Sequence, residues 1–149
     1  MNIGTLLPRH ARYRPDHLAV VFERHRLTFR QLNARVNRLA NALLAAGLAK
    51  GDKLATVLPN CLEQLDAYWA AAKTGLVVVP MSPLLQESGL VTLLDNSDSR
   101  LVISNGAFAG RLLGTPGQVQ VIQASSNLVH WTAIATNVAG TNLFHFADP

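Results

Sequence analysis

From residue 29 onward, apolar positions recur at steps of three and four: Phe29, Leu32, Val36, Leu39 and Leu43. That spacing puts all five on one face of a helix. A start signal precedes them. Thr28 can cap the helix, Gln31 sits three residues on to reach back, and Leu27 with Leu32 can form a hydrophobic staple. Gly47 supplies the stop. Upstream, short apolar runs at 18–22 and 27–29 flank a polar stretch at 23–26, which predicts a small hairpin. Downstream, 54–58 is a strand candidate ended by Pro59. Asn60 with Glu63 repeats the capping logic for a second helix, with Leu62, Leu65, Trp69 and Ala72 as its inner face and Gly75 closing it. The unbroken apolar run at 76–79, ending at Pro80, reads as a strand covered on both faces. Strand, helix and strand over so short a span imply a right-handed parallel crossover. A third unit follows, with a helix around 87–94 and a strand at 100–104. The predicted class is α/β, a partial parallel layered sheet with flanking helices and a short β-rich C-terminal segment.

The length, 149 residues, suits about one domain. Hydrophobic residues are 49% and charged ones 15%, which excludes a charged disordered tail and a long charged coiled coil. No apolar stretch approaches the roughly 18 residues of a membrane-spanning helix. The first 14 residues hold only Ile3, Leu6 and Leu7 before Pro8, too short a run for a secretory signal, so the cytoplasm is the expected compartment. Cys61, the sole cysteine, excludes an intrachain disulfide and a multi-cysteine zinc site.

Charge is unevenly distributed. The net +4 comes from 13 basic and 9 acidic residues, yet after Arg111 the only charged residue is Asp148. The change in character falls at 107–117, where Gly110, Gly114 and Gly117 cluster. Eight arginines precede Ala40, against Asp16 and Glu23. A nucleic-acid surface usually interleaves aromatics with such cations. Only Tyr13, Phe22 and Phe29 are near, and Phe29 reads as buried, so solvated helix faces are the expectation and nucleic acid is not.

Isolated reactive groups offer little. Cys61 falls near the start of the second helix, where partial positive charge can lower a thiol pKa, but no histidine is close in sequence to act as a base. His10, His17 and His25 lack the short spacing of metal ligands, and His130 and His145 suit outward positions of a β-rich tail. Glu63 and Asp66 share a helix turn but fall on the polar face opposite Leu62 and Trp69, as solubilising residues would.

One set of anchors is specific in combination. Pro15-Asp16, Leu18-Ala19-Val20 and Leu27-Thr28-Phe29-Arg30-Gln31-Leu32 come first. They are followed by Ala40, Leu43, Gly47, Lys50-Gly51-Asp52, Leu58-Pro59-Asn60, Ala70-Ala71-Ala72-Lys73-Thr74-Gly75 and Val79-Pro80. In this order they resemble the opening of the adenylate-forming (AMP-binding) ligases: acyl-CoA synthetases, luciferases and peptide-synthetase adenylation domains. The resemblance covers roughly residues 3–108. It implies an enzyme that couples a carboxylate to ATP with Mg2+, forming an acyl-adenylate and pyrophosphate, then passes the acyl group to a thiol such as coenzyme A. Such chemistry needs groups that neutralise phosphate charge. The family supplies a Ser/Thr/Gly-rich loop with a lysine, and a late lysine on a mobile C-terminal domain. Neither has a counterpart here, and Arg111 is the only cation between Gly106 and Gly117. The matched positions are scaffold positions, with Asp52 ordering a loop before the strand. No catalytic, cofactor-binding or metal-binding residue is carried over.

The tail differs. Residues 118–123 alternate like a strand, and the stretch through His130-Trp131-Thr132, 134–137 and Phe144-His145-Phe146 resembles a fragment of an immunoglobulin- or fibronectin-like β-sandwich module. The expected organisation is therefore a truncated acyl-CoA synthetase-like subdomain at 1–108, a Gly-rich junction at 109–117 and a β-rich tail at 118–149, a chimeric arrangement without catalytic machinery. Two rivals are an interaction module that self-associates through unpaired sheet edges and a basic nucleic-acid binder using Arg9 to Arg38, whose binding would be lost on replacing Arg30, Arg35 and Arg38 together.

Overall fold

A computed structural model describes residues 2–104, 119–124 and 132–138. In chain order the elements are a 3-10 turn (Ile3–Thr5), α1 (Leu6–Tyr13), β1 (Leu18–Phe22), β2 (His25–Thr28), α2 (Phe29–Ala45) and β3 (Lys53–Val57). There follow α3 (Leu62–Thr74), β4 (Val77–Met81), α4 (Glu87–Ser97), β5 (Ser99–Ser104), β6 (Val119–Ala124) and β7 (Thr132–Val138). The chain divides into two compact units, one of Met1–Gly51 with Asn60–Val77 and one of Asp52–Pro59 with Val78–Pro149.

The first unit is built around α2. The predicted capping box is observed: the Thr28 hydroxyl accepts from the Gln31 N–H, and the Gln31 side-chain oxygen accepts from the Thr28 N–H. Two donors that the helix cannot satisfy internally are thereby satisfied. Thr28→Ala is expected to lower stability by about 1 kcal/mol, readable as a shift in the urea midpoint. Leu32, Val36, Leu39 and Leu43 are buried as the periodicity requires, joined by Ala40. Phe29 is only half-buried, because its ring stacks on His10 of α1 with centroids 4.9 Å apart instead of entering the core. Gly47 adopts φ +86 just beyond the helix, the left-handed turn that ends it.

Helix α1 and the preceding 3-10 turn have no counterpart in the sequence reading. Leu7 anchors α1 in the core, and Pro8 sits in its first turn, where a missing N–H costs nothing. The hairpin is antiparallel, with Val20 opposite Leu27 and Val21 opposite Arg26.

Helix α3 corrects the sequence reading twice. Its N-cap is Cys61, not Asn60, and no side chain caps it. Its buried residues are Leu62, Gln64, Asp66, Ala67, Ala70 and Ala71, whereas Leu65, Trp69 and Ala72 are half-buried. The alanines are what permits this. α2 and the 3-10 turn both pack on α3, and small side chains let backbones approach where large ones would hold them apart. The closest approach is at Gly4, where an added Cβ would fall inside the Ala72 carbonyl oxygen and 2.8 Å from its carbon.

The second unit holds a three-stranded sheet in the order β4-β3-β5, with β3 and β5 parallel from Leu54 opposite Leu101 to Val57 opposite Ser104. The central strand β3 is the one buried on both faces, through Leu54, Ala55, Thr56 and Val57. The run expected to be doubly covered is instead the outer strand β4. Val77 is exposed, Val78 and Val79 are half-buried, and Pro80 lies within the strand, where an outer position tolerates its missing donor. Position in the sheet, not apolar content, decides coverage. On one side Ala55, Val57 and Met81 meet Leu90 and Leu94 of α4, with Val79, Leu85 and Val102 packed against them. Asp52 pairs with Arg100 at 2.7 Å and Lys53 with Asp98 at 3.1 Å, so Asp52 ties the entry of β3 to β5, which gives its loop-ordering role a partner. Within the tail, β6 and β7 form an antiparallel pair with Val119 opposite Val138. Residues 105–118, His130, Trp131 and His145 lie outside the described residues.

Candidate functional site

The strongest concentration of polar chemistry in the first unit lies where α2 meets α3. Arg35 projects from α2 and Asp66 from α3, and one carboxylate oxygen, Asp66 Oδ2, accepts from both Arg35 Nη2 at 2.7 Å and Nε at 3.0 Å. Asp66 is fully buried, which contradicts its expected place on a solvated face. Its other oxygen, Oδ1, has no hydrogen-bond partner. Glu63 lies 3.6 Å from the same guanidinium and is 39% exposed, so it remains closer to the predicted surface role. Burial pushes the Asp66 carboxyl above its ordinary range, and the Arg35 guanidinium offsets this only in part. In the last turn of α3, Lys73 donates to Asn33 Oδ1 and Asn37 Oδ1 of α2 at 2.5 and 2.6 Å. Burial holds its ammonium below the ordinary lysine range.

Neither group is arranged for turnover. A general acid or base must reach a proton on a bound substrate. Asp66 is enclosed with its partner, and Lys73 is held by two amides of the neighbouring helix. Both serve to dock α3 on α2. The sequence reading missed them because one helix pattern does not reveal which face its neighbour covers. The i, i+4 spacing of Asn33 and Asn37 was the available signal, since it places two amides on one face.

The remaining candidates disperse. Cys61 is half-buried, and its thiol is pushed up, chiefly by burial, with the Gln64 backbone N–H opposing; the expected lowering by the helix start does not prevail. His10 is stacked on Phe29, and His17 and His25 are exposed, on the loop before β1 and on β2. Arg30 pairs with Asp16 and Arg35 with Asp66, whereas Arg38 is exposed, so two arginines of the basic stretch from Arg9 to Arg38 are engaged by carboxylates of the protein itself. Among the described residues no group of three or more His, Cys, Asp or Glu could hold a metal ion. Nor do they fit a nucleoside triphosphate. Phosphates favour glycine turns that lead into helix N-termini. The described glycines with positive φ are Gly47 and Gly75, at the C-terminal ends of α2 and α3, and Gly51, whose N–H donates to the Gly75 carbonyl. Among the described residues no helix is long and apolar enough to cross a membrane.

The comparisons with known proteins agree with this frame. The model of the AMP-binding enzyme family matches residues 7–140. The chain is 38% identical over 104 residues to the long-chain-fatty-acid–CoA ligase FadD13 of Mycobacterium tuberculosis, covering 68% of this chain and 21% of that one. It is 35% identical over 95 residues to the crotonobetaine/carnitine–CoA ligase of Citrobacter koseri, covering 60% of this chain and 18% of that one. The solved Mycobacterium tuberculosis fatty acyl CoA synthetase superposes with a TM-score of 0.67 at 37% identity, over 70% of this chain and 21% of that chain. The O-succinylbenzoate coenzyme A synthetase of Bacillus subtilis, solved with AMP, does so with 0.65 at 28% identity, over 68% of this chain and 27% of that chain. The chain thus spans about a fifth of the length of the curated ligases it matches. With an α/β frame of the same build and a family match over most of its length, this chain belongs to the AMP-binding enzyme family.

Proposed function

We infer that this chain supplies N-terminal scaffold of an acyl-CoA ligase-like, adenylate-forming enzyme, and that the 149-residue chain does not form acyl-adenylates by itself. The observation that carries this reading is the placement of its glycine turns. Gly47, Gly51 and Gly75 close helices and join loops, and none presents backbone N–H groups to a triphosphate. Arg35, Asp66 and Lys73 are likewise occupied in joining α2 to α3. In this reading the ATP, Mg2+ and coenzyme A of the family are handled by sequence that this chain does not contain. The family match extends through residue 140 and takes in β6 and β7, which supports counting them with the ligase domain over a separate sandwich-like module. The cytoplasm remains the compartment of this reading.

The test is a pyrophosphate-release assay on the purified chain with ATP, Mg2+ and medium- and long-chain fatty acids, after cooperative unfolding has shown that the sample is folded. The expected rate equals the enzyme-free background. Sustained, fatty-acid-dependent pyrophosphate release would overturn the proposal.

A further inference from the structure

Arg35 faces two carboxylates, not one. Asp66 Oδ2 lies 2.7 Å from its Nη2, and Glu63 Oε1 lies 3.6 Å from the same nitrogen. Glu63 and Asp66 are three residues apart on α3, which places them on neighbouring turns of one face. Their surroundings differ. The Asp66 side chain is wholly buried, that of Glu63 is 39% exposed, and the guanidinium between them is 20% exposed. One nitrogen therefore stands within reach of an acceptor inside the α2–α3 seam and of another at its rim.

The inner acceptor is the poorer place for a negative charge. An ionised carboxylate offers about four acceptor positions on its two oxygens and no donor. Asp66 receives two bonds, both on Oδ2, and Oδ1 is buried without a partner. A proton taken from solvent onto Oδ1 removes the charge and leaves Oδ2 as a neutral carbonyl acceptor. The guanidinium keeps its own protons throughout. Its charge then has one carboxylate within reach, Glu63, and a bond between two ionised partners is the stronger kind. Movement to the rim also returns part of the guanidinium to water.

The charges around Asp66 come from both helices. Arg35 and Arg38 of α2 oppose its protonation, and Glu63 of α3 favours it together with burial. The Cys61 thiol is the titratable neighbour of Glu63. The 3-10 turn packed on α3, Ile3–Thr5, brings no titratable side chain. The geometry points to a proton-driven exchange of partners, in which Arg35 holds Asp66 while that carboxylate is ionised and turns to Glu63 once Asp66 is protonated. The seam thereby has two settings, one closed on a buried ion pair and one tied at its rim. Lys73 stays charged as pH falls, so its bonds to Asn33 and Asn37 hold the helices together in both settings. The device is independent of the ligase reading.

Side-chain NMR of the full chain between about pH 7 and about pH 4 tests it, a window that starts where ordinary carboxylates are ionised and ends near their pKa. The Asp66 carboxyl carbon reports protonation, and the Arg35 Nε–H reports which acceptor it meets. In the native chain the two signals should move together with one midpoint, while the Asn33 and Asn37 side-chain amides stay in place. Glu63→Gln alters an exposed position and removes the second carboxylate. Asp66 should then protonate at lower pH, and the Arg35 Nε–H should hardly move as it does so. Asp66→Asn should put the Arg35 signal at pH 7 close to its acid position in the native chain. An Arg35 signal that ignores the protonation of Asp66 overturns the proposal, as does equal movement in Glu63→Gln. Movement of the Asn33 and Asn37 amides in step with Asp66 also overturns it, since that is general acid loosening. If Asp66→Asn fails to fold, the native chain and Glu63→Gln decide between these outcomes.

Discussion

Replacing Arg35 by Met is expected to destabilise the first unit by about 3–5 kcal/mol at neutral pH, the usual result of stripping a buried charge of its partner. Asp66 would keep its full burial and lose both hydrogen bonds to Oδ2, while Oδ1 already has none. The remaining carboxylate must either stay charged in a medium of low polarisability or take up a proton, and both cost free energy at pH 7. Urea unfolding followed by Trp69 fluorescence in a Trp131→Phe background measures the loss in this unit, since Trp69 lies on α3. Adding Asp66→Leu to Arg35→Met should restore most of the stability, because an apolar pair of similar volume avoids the charge altogether. Equal losses in the single and double variants would show that packing, not charge, governs the seam.

The same pair sets a pH signature. The folded Asp66 carboxyl sits above its unfolded value, so folding binds a proton between the two, and stability from this group is full below about pH 4 and lost as pH rises toward the folded pKa. This is opposite to the usual ion-paired carboxylate. Asp66→Asn removes the titration, and its stability relative to the native chain should therefore improve as pH rises from about 4 to 7. By the same logic the Arg35→Met penalty should shrink on acidification. A relative stability of Asp66→Asn that worsens with rising pH would mean that the guanidinium outweighs burial.

Gly4→Ala is the second large effect, an expected loss of roughly 2–3 kcal/mol from overpacking. The new Cβ would meet the Ala72 carbonyl, which is backbone within α3 and cannot rotate away as a flexible side chain would. The 3-10 turn must lift off the helix. With it goes the local geometry that Asn2 supports by accepting from the Gly4 N–H at 2.9 Å. Thermal unfolding gives the magnitude, and faster amide exchange confined at first to residues 3–13 would locate the damage. A native-like melting temperature would show that α3 yields at that point.

Much of the frame was legible from local rules, because those rules concern neighbours in sequence. Thr28 and Gln31 lie three residues apart, so the capping box needs nothing from the rest of the chain. The spacing from Leu32 to Leu43 identified the buried face of α2, and Gly47 and Gly75 marked helix ends at positions where φ is in fact positive. The ordered anchors from Pro15 to Pro80 pointed to the family that the comparisons then showed. Tertiary structure decided what depends on which surfaces meet. It buried Asp66 on a face that periodicity had assigned to water, because α2 brought Arg35 to it and alanines let the helices close. It also moved double coverage from the apolar run of β4, at the edge of the sheet, to β3 at its centre, where the layers packed on the sheet cover both faces. Sequence spacing records what one element can offer; only packing settles which of those offers another element takes up.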